Sequence, residues 1–168
     1  MCGIVLMVVV MWWSSTSTAI RVDDKDGFVL CNVPQVAQIQ EVEVKECNKW
    51  PCVAQAGRSG TYKITFTQQS DEVMFNIQSD IYAWVRLPFV HGGKRPVRVA
   101  IPGEKRKPLC RYATPACPVK PGVPTTITKS VTIPLQARMA QGNVLVEFIA
   151  TDEQDQVVIC FRAPVVVA

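Results

Sequence analysis

Apolar and polar residues alternate one for one along much of this chain. Tyr62, Ile64 and Phe66 alternate with Lys63, Thr65 and Thr67, and Val73, Phe75 and Ile77 with Met74, Asn76 and Gln78. Ile127, Val131 and Ile133 alternate with Thr126, Thr128, Ser130 and Thr132, and Val42 and Val44 with Glu41, Glu43 and Lys45. A period of two is the signature of strands with one buried and one solvated face. Breakers fall between these runs: residues 57–60, Ser70-Asp71, Gly92-Gly93, Pro102-Gly103, Pro121-Gly122 and Gln141-Gly142. The pattern predicts strands near 36–46, 52–55, 61–68, 72–79, 81–89, 96–101, 125–134, 143–150 and 157–166. No stretch sustains a helical period, and no repeat, linker or low-complexity tract interrupts the pattern. Short strands at this spacing predict an all-β, antiparallel sandwich.

One residue breaks the pattern. Lys129 falls in phase with Ile127 and Val131, on the apolar face. A buried, unpaired ammonium is costly, so Lys129 is expected to reach a rim, a partner or a polar ligand group.

The N-terminus follows a different rule. Ile4 to Trp13 is almost wholly apolar, and Ser14 to Ala19 is small and polar. An apolar run of about ten residues falls short of the roughly twenty needed to span a bilayer. It reads as the core of a signal peptide, residues 1–19, with cleavage after Ala19 and small residues at Ser17 and Ala19. The remainder, residues 20–168, is roughly 150 residues long, a one-domain length. Cys2 leaves with the leader. Six cysteines stay: Cys31, Cys47, Cys52, Cys110, Cys117 and Cys160. In an exported chain an even set of this kind reads as a disulfide framework, compatible with fifteen pairings.

Composition narrows the function. Hydrophobic residues make up 48% and charged residues 19%, as in a globular protein, and the net charge of +4 is too mild to argue for nucleic acid. The single histidine, His91, stands beside Gly92-Gly93 in an expected exposed loop, and the cysteines read as paired. A catalytic triad or zinc site therefore lacks its parts, and neither an enzyme, a metal site nor a cofactor is expected. No asparagine begins an N-glycosylation sequon. Lys94, Arg95, Arg98, Lys105, Arg106, Lys107 and Arg111 form a basic cluster opposed in sequence only by Glu104. It reads either as a solvated hairpin or as a contact with anionic lipid head groups.

Several segments together resemble a known family, the MD-2-related lipid-recognition (ML) domain, in its Niemann-Pick type C2-like, arthropod-type branch. Pro51-Cys52, Gly57 and then Tyr62-Lys63-Ile64-Thr65-Phe66 resemble the family's Pro-Cys, glycine, strand order. Val85-Arg86-Leu87-Pro88-Phe89 resembles its Val-Pro-x-Pro-Phe segment, with Arg86 in place of the first proline. Cys117-Pro118-Val119-Lys120 followed by Gly122 resembles its Cys-Pro signature. Asp152-Glu153-Gln154-Asp155-Gln156, Cys160-Phe161 and Pro164 resemble its last hairpin and strand. Thr125 stands where many members carry a tyrosine, and the stretch from Phe89 to Cys110 is longer than usual in the family.

The resemblance implies an immunoglobulin-like antiparallel β-sandwich with an apolar cavity between its sheets. It also implies the pairings Cys31–Cys160, Cys47–Cys52 and Cys110–Cys117. The implied lipid-binding residues are Tyr62, Ile64, Phe66, Phe75, Ile77, Val85, Leu87, Phe89, Val131, Ile133, Val146, Phe148 and Phe161, which would be plain core in a filled sandwich. The expected function is a secreted, monomeric carrier of a sterol, fatty acid or other small hydrophobic ligand. Transient contact with anionic membranes, or with a lipid-accepting membrane protein, would accompany transfer. The alternatives are an innate-immune protein presenting a microbial lipid to a receptor and, from a different class, an adhesion domain with a filled core.

Overall fold

The computed structural model describes residues 20–21, 28–45, 47, 49–140 and 143–168. The signal peptide assigned to residues 1–19 lies outside the described residues. Among the described residues twelve strands run in chain order: β1 (Ile20–Arg21), β2 (Val29–Leu30), β3 (Ala37–Val44), β4 (Cys52–Ala54), β5 (Ser59–Gln68), β6 (Ile77–Val85), β7 (Val97–Ala100), β8 (Lys107–Pro108), β9 (Ala113–Thr114), β10 (Pro124–Thr132), β11 (Asn143–Asp152) and β12 (Val157–Val167). They form two sheets. One has the order β1-β3-β5-β10-β9; the other runs β2-β12-β11-β6-β7, with β4 added to β12 and β8 to β6. All pairings are antiparallel except β4 on β12, which is parallel. The architecture is an all-β, immunoglobulin-like sandwich.

Inward positions alternate as the sequence predicts. On β10, Thr125, Ile127, Lys129 and Val131 are buried, while Pro124, Thr128, Ser130 and Thr132 are exposed. Threonine and serine pairs knit the outer face of the same sheet: Thr61 to Ser130 at 2.8 Å and Thr65 to Thr126 at 3.0 Å.

One predicted strand is absent. Residues 72–79 were expected to alternate as a unit, but β6 begins at Ile77 and runs on to Val85. Ahead of it the chain bends. Met74 is buried and bridged to Val119, whereas Phe75 is 70% exposed. The Glu153 carboxylate, from the β11–β12 turn, accepts hydrogen bonds from the Phe75 and Asn76 amides at 3.2 Å each. That clamp satisfies two backbone donors outside any ladder, so the side-chain phase resets between Met74 and Ile77.

The sandwich has two unlike halves. The half containing the β11–β12 turn is filled: Ile64, Phe66, Ile77, Leu109, Val119, Ile127 and Ile159 are at most 2% exposed and form one apolar cluster. Toward the other end the inward side chains shrink. On β5 the inward row ends, past Tyr62, in Gly60, and on β12 Ile159 and Phe161 give way to Ala163 and Val165. Small side chains on both facing sheets cannot fill the gap to the density of a protein interior, and a cavity results.

Candidate functional site

That cavity measures about 520 Å³ and lies between the sheets. Tyr62, Ile81, Ile101 and Phe148 line its inner end, next to the filled half. Val42, Val44, Val131, Ile133, Val146, Phe161, Ala163 and Val165 line its walls. Trp50 and the Cys47–Cys52 loop lie on one side, and the exposed residues Val53, Gln55, Arg58 and Ser59 form a rim open to solvent. The volume falls in the range of small-molecule sites, which are mostly apolar with a few placed polar groups.

Of three disulfides among the described residues, one borders this half. Cys31–Cys160, Cys47–Cys52 and Cys110–Cys117 are bonded, with sequence separations of 129, 5 and 7. Cys47–Cys52 packs with Val44, Trp50 and Val165 beside the cavity. The Trp50–Pro51 peptide within this loop is cis, as are Thr114–Pro115 and Cys117–Pro118.

Of the thirteen residues expected to contact a ligand, the fold brings six to the cavity: Tyr62, Val131, Ile133, Val146, Phe148 and Phe161. The others lie elsewhere. Ile64, Phe66 and Ile77 share strands with cavity residues but sit in the filled half, at 0–1% exposure. Val85 and Leu87 are half-buried, at the end of β6 and just beyond it, outside the cavity wall. Phe75, turned out by the Glu153 clamp, and Phe89, in a turn, are 70% and 71% exposed. Period alone gave the inward face but not the depth along it. Val42, Val44, Trp50, Ile81, Ile101, Ala163 and Val165 were missed as lining residues. The decline in inward side-chain size along β5 and β12 is the signal that marks this end.

The long stretch between Phe89 and Cys110 folds back onto the sheet edge. Ile101 and Glu104 bond to Ile81 through the backbone, at 2.9 and 3.2 Å. Ile101 thereby enters the cavity wall and Glu104 meets Lys129. Lys129 is 6% exposed, and its ammonium is hydrogen-bonded and ion-paired with the Glu104 carboxylate. The inward lysine of β10 is thus answered by an inward glutamate from the insertion.

The basic cluster is more divided than its sequence suggests. Arg98 bonds the Glu147 carboxylate at 2.7 and 2.8 Å and lies 3.4 Å over the Tyr82 ring. The Arg106 amide donates to Asp80 at 2.6 Å, and its guanidinium bonds Gln78 at 3.1 Å and lies 3.6 Å from Asp155. These two cations are engaged by acids that are distant in sequence. All seven are exposed, but Lys94, Arg95, Lys105, Lys107 and Arg111 have no acidic partner among the described residues; Lys107 and Arg111 edge a small polar pocket beside Lys129. None of the seven lines the cavity.

Glu147 organises the outer face of its sheet. It is 2% exposed and accepts from Trp84 Nε1 at 2.9 Å and Arg162 Nε at 2.6 Å as well as from Arg98. Burial by itself would raise its pKa; the bonds from Trp84, Arg162 and Arg98 outweigh that and hold it below the ordinary carboxylate value. At the inner end of the cavity, burial and, after it, the Glu104 charge push the Tyr62 phenol pKa up. Ser79 lies close enough to pull slightly the other way, yet neither Tyr62 Oη nor Ser79 Oγ has a partner with hydrogen-bond geometry among the described residues.

The comparisons agree with this geometry. No curated protein sequence matches the chain. Among solved structures, a Niemann-Pick type C2 protein from Japanese carpenter ant is similar at 15% identity and a TM-score of 0.65, over 84% of this chain and 98% of that one. The C-terminal domain of Wzt is similar at 11% identity and 0.49, over 86% and 79%. Chicken MD-1, solved with lipid IVa, is similar at 12% identity and 0.42, over 82% and 85%. The ant protein supports the fold; the other two are too distant to say more. The family model described as the ML domain matches residues 26–167, nearly all of the sandwich, and the chain belongs to that family of lipid-recognition domains.

Proposed function

We propose that this protein is a secreted carrier that holds a sterol, fatty acid or other small hydrophobic molecule between its sheets and transfers it. The observation that carries this reading is the cavity of about 520 Å³, apolar along its walls and open at a rim of four exposed residues. A sandwich built only for adhesion would fill this space. Burying about 400 Å² of apolar ligand surface is worth roughly 10 kcal/mol gross. Association costs of at least about 4 kcal/mol leave at most about 6 kcal/mol, a Kd of tens of micromolar. Contacts of this kind discriminate weakly by chain length, which favours a carrier of a class of compounds over a receptor for one. Three disulfides fit an oxidising compartment, and the extracellular space is the proposed location. The exposed Lys94, Arg95, Lys105, Lys107 and Arg111 offer a contact for anionic membranes during transfer.

Titration of the purified protein with a fluorescent sterol and a fluorescent fatty acid tests the reading. Saturable, one-to-one binding that excess unlabelled lipid reverses is expected. Absence of binding to both, together with no lipid in an organic extract of the protein analysed by mass spectrometry, would refute it.

A further inference from the structure

Among the described residues from 92 to 108, Ile101 alone is fully buried. It is 9% exposed, while Ala100, Pro102 and Gly103 beside it are exposed. It opens a tight turn, Ile101-Pro102-Gly103-Glu104, in which the Glu104 amide donates to the Ile101 carbonyl at 3.0 Å and Gly103 takes a φ of +79°. Proline second and a positive-φ glycine third are what a type II turn asks for. The turn is fastened at both ends. The Ile101 amide donates to the Ile81 carbonyl at 2.9 Å, and the Ile81 amide to the Glu104 carbonyl at 3.2 Å. The Glu104 carboxylate pairs with the buried Lys129. Of the four residues at the inner end of the cavity, Tyr62, Ile81 and Phe148 belong to long strands, and only Ile101 comes from a turn. Glu104 and Lys129 do not line the cavity; they edge a separate polar pocket of about 200 Å³.

We propose that Ile101 is a stop that sets the length of hydrocarbon the cavity accepts, and that the ligand is a single-chain lipid lying tail-first against it. This rests on reading the cavity as a lipid site and adds the ligand class and a residue that selects within it. The walls are apolar, and the exposed polar residues Gln55, Arg58 and Ser59 stand at the rim. The tail therefore goes in and the polar head stays in water, where it loses no hydration. Each methylene buried inside adds about fourfold to the affinity. That gain ends when the tail reaches Ile101. A longer tail must leave methylenes at the rim or push the turn aside, and pushing it aside separates a buried ion pair, which is costly. Discrimination between neighbouring lengths is weak, but the series has an end.

The test is displacement of N-phenylnaphthylamine fluorescence from the purified protein by saturated fatty acids from octanoate to octadecanoate, each below its micelle concentration. For the parent, affinity should rise about fourfold per carbon and then level off at a definite length. Ile101→Ala removes three carbons at the stop and should move that break up by about two carbons, since the surroundings relax only partly. Ile101→Phe should move it down. Ile133→Ala removes the same three carbons from the wall near the rim, where Ile133 bonds Arg58 through the backbone; it should weaken every length alike and leave the break in place. A parent series without a break overturns the inference and leaves the cavity reading intact. So does a break that neither Ile101 variant moves, or one that Ile133→Ala moves as far. Failure of the probe and of every acid to bind overturns the carrier reading and this inference with it. Should the Ile101 variants not fold, nuclear Overhauser contacts on the parent decide. Contacts from the Ile101 methyls to the terminal methyl of bound dodecanoate support the stop, and contacts to the methylene beside its carboxylate overturn it.

Discussion

The Tyr62 ring on β5 meets the Phe148 ring on β11 edge-on across the gap between the sheets, with centroids 5.4 Å apart and planes at 68°. Phe148 stacks in turn on Phe161, and Phe161 on Phe28, at 5.4 and 4.7 Å. Edge-to-face and offset pairs at such distances add to the stability that burial gives. This aromatic chain joins the two sheets at the inner end of the cavity, beside the packed half.

Filling the cavity should separate binding from stability. Val146 faces the cavity, whereas Phe66, at 0% exposure, belongs to the filled half. Val146→Trp should weaken lipid binding at least tenfold with little change in melting temperature, because existing space relieves overpacking. Phe66→Trp should do the reverse, costing about 1–3 kcal/mol of stability and leaving the affinity nearly intact. Calorimetry and lipid titration on both variants check this. The same outcome for both would mean that the two halves do not differ as described.

Lys129 and Glu104 should behave as a unit. Lys129→Met alone leaves a largely buried carboxylate without its cation and should cost about 3–5 kcal/mol. Adding Glu104→Leu to that variant should recover most of the loss, since an apolar pair of similar volume is often neutral or better. Denaturant unfolding of the two single variants and the double variant gives the coupling. Additive losses would show that the pair contributes no mutual stabilisation.

Glu147 should make stability pH-dependent. Its folded-state pKa is depressed, so its contribution is complete above the ordinary carboxylate value and is lost as pH falls through the depressed one. Glu147→Gln should cost about 1–3 kcal/mol at neutral pH through weakened bonds from Trp84, Arg98 and Arg162. The gap between parent and variant should close on acidification. Melting curves across the acid range test the sign, and a gap that widens toward low pH would contradict it.

The three disulfides should differ in worth. In the chain-entropy model Cys31–Cys160, with a separation of 129, stabilises by about 5 kcal/mol, while Cys47–Cys52 and Cys110–Cys117, with separations of 5 and 7, give about 2 kcal/mol each. Paired serine substitutions followed by thermal unfolding should rank them in that order. Peptide mapping without reduction should recover these pairs, and a peptide joining Cys52 to Cys110 would contradict the framework.

The alternation on β3, β5 and β10 was enough to give strands, their inward faces and a sandwich, because a period of two is local and each strand carries it independently. The cysteine flanks were enough to suggest the family. Depth was not legible in the same way. Ile64 and Tyr62 are inward on one strand, two residues apart, yet one is sealed in core and the other borders a cavity. What separates them is the size of the side chains on the facing sheet, including Ala163 and Val165, roughly a hundred residues away in sequence. Phe75 looked inward by period and points outward because Glu153 holds its backbone. Lys129 announced in the sequence that it needed a partner. Only the folding of the insertion against β6 decided that the partner is Glu104, because charge pairing across a sandwich depends on which loop the chain can bring to the sheet edge.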